Sequence, residues 1–192
     1  MFLKTHRFVA PLLLIGSLLL LMAPPALAQE EEEPSLEQFV WGKGTSVEDG
    51  DTLTIKDDRG KAIRVQLAYL DAPDLDVKSG EAQPLHAESK KKLEELTLGK
   101  ALIVEKLEVD RFGRILGMVF LDKLNVNLEM LRLGLAEIYF PVRVHPERYN
   151  AYYITDFRQT EARAKERKVG IWGRPDYVSP YQFRRRIGGA GG

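Results

Sequence analysis

Between residues 40 and 121 the chain carries three strand-like runs, one helical run and two more strand-like runs, in that order. That order restricts the fold more than any other feature of the sequence. Val40 to Val47 leads into "EDGD", and "TLTIK" follows with period-2 alternation. "DDRGK" supplies a turn, and "AIRVQLAYL" reads as a longer strand. Leu85 to Leu96 has Ala-, Lys- and Glu-rich surface positions and a stop at Gly99, which predicts a helix. "KALIVEKLEV" and "RILGMVFL" predict a hairpin around "DRFGR". A short helix over Val126 to Leu133 follows, then a long one from about Pro146 to Lys168, ended by Gly170. Five strands with a helix between the third and fourth is the order of an OB-type barrel. The fold class expected is therefore α+β: a five-stranded OB-fold β-barrel with about three helices. Tyr149, Tyr153, Phe157 and Thr160 recur at helical spacing, which predicts a stripe packed on the core.

The flanks read differently. Met1 to Arg7 carries Lys4 and Arg7, Phe8 to Ala23 is almost wholly apolar, and "PPALA" places small Ala26 and Ala28 at signal-peptidase spacing. Residues 1–28 thus read as a signal peptide cleaved after Ala28, with an uncleaved anchor as the competing reading. Cleavage implies a secreted or periplasmic protein with no stable membrane association, and the reading is of a monomer. "QEEEEPS" opens an acidic linker over 29–36, a folded domain spans 37–173, and 174–192 is a C-terminal tail ending in "GGAGG". An exported chain without cysteine holds its fold by its core alone. The whole chain balances 28 basic against 28 acidic residues; loss of Lys4 and Arg7 leaves 26 against 28, or −2. No global charge draws it to nucleic acid, so any such binding comes from a local patch.

Two acidic turns carry the chemistry. "DGDT" (49–52) sets two acids around a glycine at a strand junction; alone it reads as an Asp-Gly hairpin turn with positive φ at Gly50. "DAPD" (71–74) sets two more around Pro73, which fixes the turn and holds Ala72 extended. Alone it reads as a solvated loop. If neighbouring barrel strands bring Asp51 beside Asp71, the Ala72 carbonyl completes a partial shell of hard oxygen ligands of the kind Ca²⁺ takes, with Asp74 close by. His86 and His145 are isolated, and no histidine cluster or cysteine pair offers a zinc alternative.

Taken together, "VEDGDTLTI", "VQLAYLDAPD", "VDRFGRILGMVF", "LNVNLEMLRLGLAEIY" and "EARAKERKVGIW" resemble the staphylococcal nuclease (thermonuclease) family, in that family's order and over about residues 38 to 172. The resemblance implies an OB-fold barrel with three helices, and Ca²⁺-dependent phosphodiester hydrolysis of DNA and RNA by an exported enzyme. It implies that Asp51 and Asp71 are the calcium carboxylates and that Ala72 lends a backbone carbonyl. It implies that Arg114 binds phosphate, and that Asp74 stands where the family has the glutamate taken as general base. Gln66, five residues before Asp71, stands where the family has its first catalytic arginine.

Two of three catalytic side chains therefore differ. Gln66 offers neutral amide donors where a guanidinium fork would meet developing phosphoryl charge. One preorganised donor is typically worth ~10²–10³ in rate. Asp74 is one methylene shorter than glutamate, and a misplacement of about 1 Å can cost ~10²-fold. Arg64 lies two residues before Gln66 on the same strand face, as a rim residue or as a stand-in cation. Phe112 keeps an aromatic in "DRFGR" without a hydroxyl. "RRR" (184–186) reads equally as a phosphate-touching cluster and as a solvated end. Two functions follow: a weakened exported Ca²⁺-dependent nuclease, or an inactive module that binds nucleic acid, calcium or a protein partner on the same fold.

Overall fold

The computed structural model describes residues 38–140 and 151–189. The signal-peptide and linker readings lie outside the described residues, as do His145, Tyr149 and the expected start of the long helix. In chain order the elements are β1 (Phe39–Val47), β2 (Thr52–Lys56), β3 (Ala62–Leu67), β4 (Leu70–Asp71), α1 (His86–Thr97), β5 (Ala101–Val109) and β6 (Ile115–Leu121). Then come β7 (Leu124–Asn125), α2 (Val126–Arg132), β8 (Glu137–Ile138), α3 (Ala151–Glu166), a 3-10 turn (Gly170–Gly173) and α4 (Pro180–Gly189).

The five long strands run β3-β2-β1-β5-β6, all antiparallel, and the sheet closes on itself through a parallel β3–β6 seam. The seam pairs Val65 with Ile115, Gln66 with Leu116 and Leu67 with Gly117. This is the five-stranded OB barrel expected. Period-2 alternation fills it: Leu53, Ile55, Val65, Leu67, Val104 and Met118 are all fully buried. Phe157 of α3 is buried against the same core, and Tyr153 gives its hydroxyl to Glu105 of β5, so the aromatic stripe packs as expected where it is described.

"AIRVQLAYL" does not run as one strand. It ends at Leu67, and Tyr69 is left-handed with φ 64°. Asn127, wholly buried at the start of α2, drives the break. Its amide donates to the carbonyls of Ala68 and Gly117, both at 3.1 Å, and its Oδ1 accepts from Val119 N–H at 3.0 Å. A left-handed non-glycine residue costs about 1–2 kcal/mol. The Tyr69 ring packs 5.5 Å from Phe140 and 5.9 Å from Phe157, centroid to centroid. Burying such a ring contributes about 1.5–3 kcal/mol, enough to offset the strain. The kink redirects the chain into β4, which pairs Leu70 with Ile138 and Asp71 with Glu137.

A fourth helix, α4, lies where the sequence reading places a tail. Ser179 caps it, its hydroxyl accepting from Gln182 N–H at 3.2 Å, and Pro180 starts it. Phe183 is buried. No helix among the described residues is long and apolar enough to cross a membrane.

Candidate active site

The two acidic turns are pinned together by backbone. The Asp51 carbonyl accepts from Leu67 N–H at 2.8 Å, which ties "DGDT" to the end of β3. The Asp51 carboxylate accepts from Ala72 N–H at 3.1 Å and from the Thr52 hydroxyl at 2.9 Å, which ties it to "DAPD". Gly50 has no positive φ, so the hairpin-turn reading of its role does not hold. A Cβ there would lie 2.0 Å from Ser89 Oγ of α1 and 2.7 Å from the Ala72 methyl. The glycine is required by close approach, which lets α1 press the two turns against each other.

All six residues singled out in the sequence (Asp51, Gln66, Asp71, Ala72, Asp74 and Arg114) line one cavity of about 330 Å³. Asp49, Thr52, Tyr139 and Arg184 also line it. Asp51 and Asp71 are both buried. Burial, then repulsion from Asp49 and Asp71, pushes Asp51 well above the ordinary carboxylate range, against the hydrogen bonds from Ala72 and Thr52. Burial also raises Asp71, although Arg184 opposes it. Asp74 accepts from Leu75 N–H at 2.7 Å, and its own N–H donates to Gln83 Oε1 at 2.8 Å. The "DLDVKSGEAQP" loop is thereby tied down at its start, and an Asp76–Ser79 turn ties its middle.

Arg114 leaves the β5–β6 turn with its orientation set by Asp110. One Asp110 oxygen accepts from Phe112 and Arg114 N–H at 2.8 and 2.9 Å; the other takes Arg114 Nε at 2.6 Å. Gly113 supplies the φ of 77° that the turn needs. The Nη nitrogens of Arg114 form no hydrogen bond among the described residues and are left for the cavity. Gln66 also has no side-chain partner there. Arg64 does not reach the cavity: its guanidinium pairs with Glu48, Nε to Oε1 at 2.5 Å. Phe112 is exposed, under the Arg111 guanidinium at 4.7 Å, and does not line the cavity.

Sequence reasoning missed the position of Arg184. Its Nη1 and Nη2 fork onto both Asp71 oxygens at 2.9 and 2.6 Å, and Nη1 reaches Asp74 Oδ2 at 3.1 Å. The readable signal was "SP" at 179–180, a helix start that would have turned a solvated end into an element with a face.

Among the described residues, no three histidine, aspartate or glutamate side chains converge as a metal-holding group. Side chains alone thus give two buried carboxylates. The cavity as a whole sets four acids (Asp49, Asp51, Asp71, Asp74) against two arginines, a formal −2. Oxygen donors and a deficit of that size suit a hard divalent cation that takes its remaining ligands from carbonyls and water.

Residues 64–174 match the family described as "Staphylococcal nuclease homologue". The chain belongs to that family. A protein named "Uncharacterized endonuclease" in Escherichia coli is 36% identical over 80% of this chain and 90% of its own length. One of the same name in Haemophilus influenzae is 32% identical over 73% of this chain and 70% of its own. The "Micrococcal nuclease" of Shigella flexneri is 29% identical over 75% and 80%. α4 and Arg184 lie beyond the span matched to the family.

Proposed function

We propose that this nuclease-family protein hydrolyses phosphodiester bonds of DNA or RNA with Ca²⁺, outside the cytoplasm, and more slowly than a site with arginine and glutamate at positions 66 and 74. The observation that carries the reading is the pair of buried carboxylates, Asp51 and Asp71, facing one cavity with Asp74 and Arg114. Burying two like charges side by side is costly. A site that keeps them has a use for a cation. Asp51, Asp71 and the Ala72 carbonyl would hold it, and when bound it supplies charge neutralisation and polarisation at a phosphoryl oxygen. Asp74 accepts a proton from water, whose oxygen attacks phosphorus as the bond to the leaving oxygen breaks, and that leaving oxygen takes up a proton from solvent. Arg114 donates from its free Nη nitrogens to the phosphoryl oxygens as their charge grows. Gln66 can add only a neutral amide donor.

A second reading, binding without turnover, is favoured by one observation: the Asp74 oxygens already accept from Leu75 N–H and Arg184, which leaves fewer lone pairs to meet a water. Cleavage of single-stranded DNA in Ca²⁺ or EGTA, beside Asp51→Ala, separates the two. Hydrolysis is expected in Ca²⁺ only and is expected to vanish in Asp51→Ala. A folded protein that leaves DNA intact in Ca²⁺ would establish the binding module. Gln66→Arg with Asp74→Glu is expected to raise the rate at least ~10-fold, from the worth of one phosphate donor; a double variant no faster would show that other parts of the site limit it.

A further inference from the structure

α4 reaches the cavity as a docked element. Phe183 is buried, and Gln83 Nε2 donates to Val178 O at 2.8 Å just before the helix. Arg186 pairs with Glu81, and Tyr181 stacks at 6.2 Å on Tyr139, itself a cavity residue. These contacts come from the 74–84 loop and from the segment after β8, the two pieces of chain that flank the catalytic carboxylates. Arg184 is therefore delivered to the cavity by contacts on both sides of it.

We propose that Arg184 is a substrate-binding arginine of this site, whose fork takes the non-bridging oxygens of a backbone phosphate and rests on Asp71 and Asp74 between substrates. The proposal rests on the phosphodiesterase reading and names a residue that reading lacks. Five observations carry it. A guanidinium that forks onto a carboxylate at 2.9 and 2.6 Å has the shape that also matches two phosphate oxygens. Its side chain is 40% exposed and lines the cavity, so it can be reached by solvent and by ligand instead of being sealed under the helix. Without it, four carboxylates would face a single guanidinium, and a phosphodiester would enter against net repulsion. Gln66, in the same cavity, supplies no charge to replace it. The bond to Asp74 gives the resting place a second tether: when Asp71 is engaged by a cation, Nη1 stays in the cavity on Asp74.

The opposite role is also chemically coherent. A guanidinium on Asp71 could simply occupy the cation's place, which would make α4 a block. The test is titration calorimetry with adenosine 5′-monophosphate in Ca²⁺, a phosphomonoester that the proposed hydrolysis does not consume, run beside single-stranded DNA cleavage. Arg184→Ala is expected to weaken nucleotide binding at least ~10-fold and to lower kcat/KM by ~10²–10³, the worth of a preorganised phosphate donor. Arg184→Lys keeps a charge beside Asp71, so it folds, and it is expected to fall between parent and Arg184→Ala because it lacks the fork. Adding Gln66→Arg to Arg184→Ala is expected to restore part of the nucleotide affinity. Unchanged or tighter nucleotide binding in both Arg184 variants, or faster cleavage, would overturn the proposal and make α4 a block. So would a parent protein that does not bind the nucleotide. Arg184-dependent nucleotide binding by a parent that leaves DNA intact would retire the hydrolysis reading and leave the arginine's role standing.

Discussion

Asp51 shows at a single residue what the site costs the fold. Its carboxylate is buried, repelled by Asp49 and Asp71, and compensated by two neutral donors. Asp51→Asn keeps both contacts: the amide oxygen can face Ala72 N–H while the amide nitrogen faces Thr52, whose hydroxyl turns to accept. The variant loses only the charge. In chelator it is expected to be more stable than the parent by about 0.5–2 kcal/mol, the usual gain from relieving a functional position, while losing Ca²⁺-dependent cleavage. A thermal melt in EGTA that shows no gain would mean that Asp51's charge is not a burden. Gly50→Ala acts in the other direction: its methyl would overlap Ser89 Oγ and Ala72, and overpacking of that kind costs about 1–3 kcal/mol. At this scale the sequence was informative where chemistry is local. Asp51, Asp71, Ala72 and Asp74 could be singled out because they sit in two short acidic turns, Gln66 and Arg114 through the family resemblance, and the fold brings all six to one cavity. The reason for Gly50 was hidden, because the atom it avoids belongs to α1.

Among elements, the break after β3 and the docking of α4 do most to place the site. Asn127 of α2 holds the break. In Asn127→Ala the Val119 N–H and the Ala68 carbonyl lose a buried partner. Each buried group left unmet costs about 1–3 kcal/mol. A loss of roughly 2–4 kcal/mol in a denaturant titration is expected on that basis, with cleavage falling further than stability because Asp71 follows directly on the kink. An unchanged denaturation midpoint would place the cause of the break elsewhere. Neither element was read from the sequence, for different reasons. "AIRVQLAYL" keeps strand composition through Tyr69, and the residue that breaks it comes from another element. The α4 segment is rich in arginine and polar, and its docking contacts, Arg186 to Glu81 and Tyr181 to Tyr139, are with residues far away in the chain. The five barrel strands, by contrast, carry their alternation in their own residues, and α1 carries its stop.

Over the molecule as a whole, burial raises the pKa of Asp51, Asp71 and Glu137, the last also opposed by the Tyr177 hydroxyl and raised by Asp71. A raised folded value means that the native state holds protons which the unfolded state has released. Stability from these groups is therefore full below the unfolded values of about 4 and is lost as pH rises through the folded ones. In EGTA the protein is expected to gain stability as pH falls from 7 toward about 5, contrary to the usual carboxylate trend. At more acid pH the order reverses at Asp110. Burial raises it, but hydrogen bonds from Arg114 and Phe112 outweigh burial and hold it low. Its contribution is present above the unfolded value and fades as pH falls through the folded one. Saturating Ca²⁺ at neutral pH is expected to restore stability, by about 2.7 kcal/mol at a hundred times its Kd. Melting temperatures that are flat in EGTA from pH 7 to 5, or that do not respond to millimolar Ca²⁺, would contradict the shared burden of these acids.

The parallel seam between β3 and β6 fixes when the cavity exists as well as where. Gln66 lies in the seam and Arg114 lies one residue before its first pair, Val65 with Ile115, so the two sides of the cavity belong to strands that meet only when the barrel shuts. Contacts between residues so far apart in the chain are the slow ones, since loop entropy is lost before they repay it. α1 and the β5–β6 turn can form from their own residues at any earlier moment. On the phosphodiesterase reading, a refolding chain gains its site only at that final closure. Its ability to take up Ca²⁺ should return with that closure and not before, a coincidence that a stopped-flow trace with a calcium indicator would register.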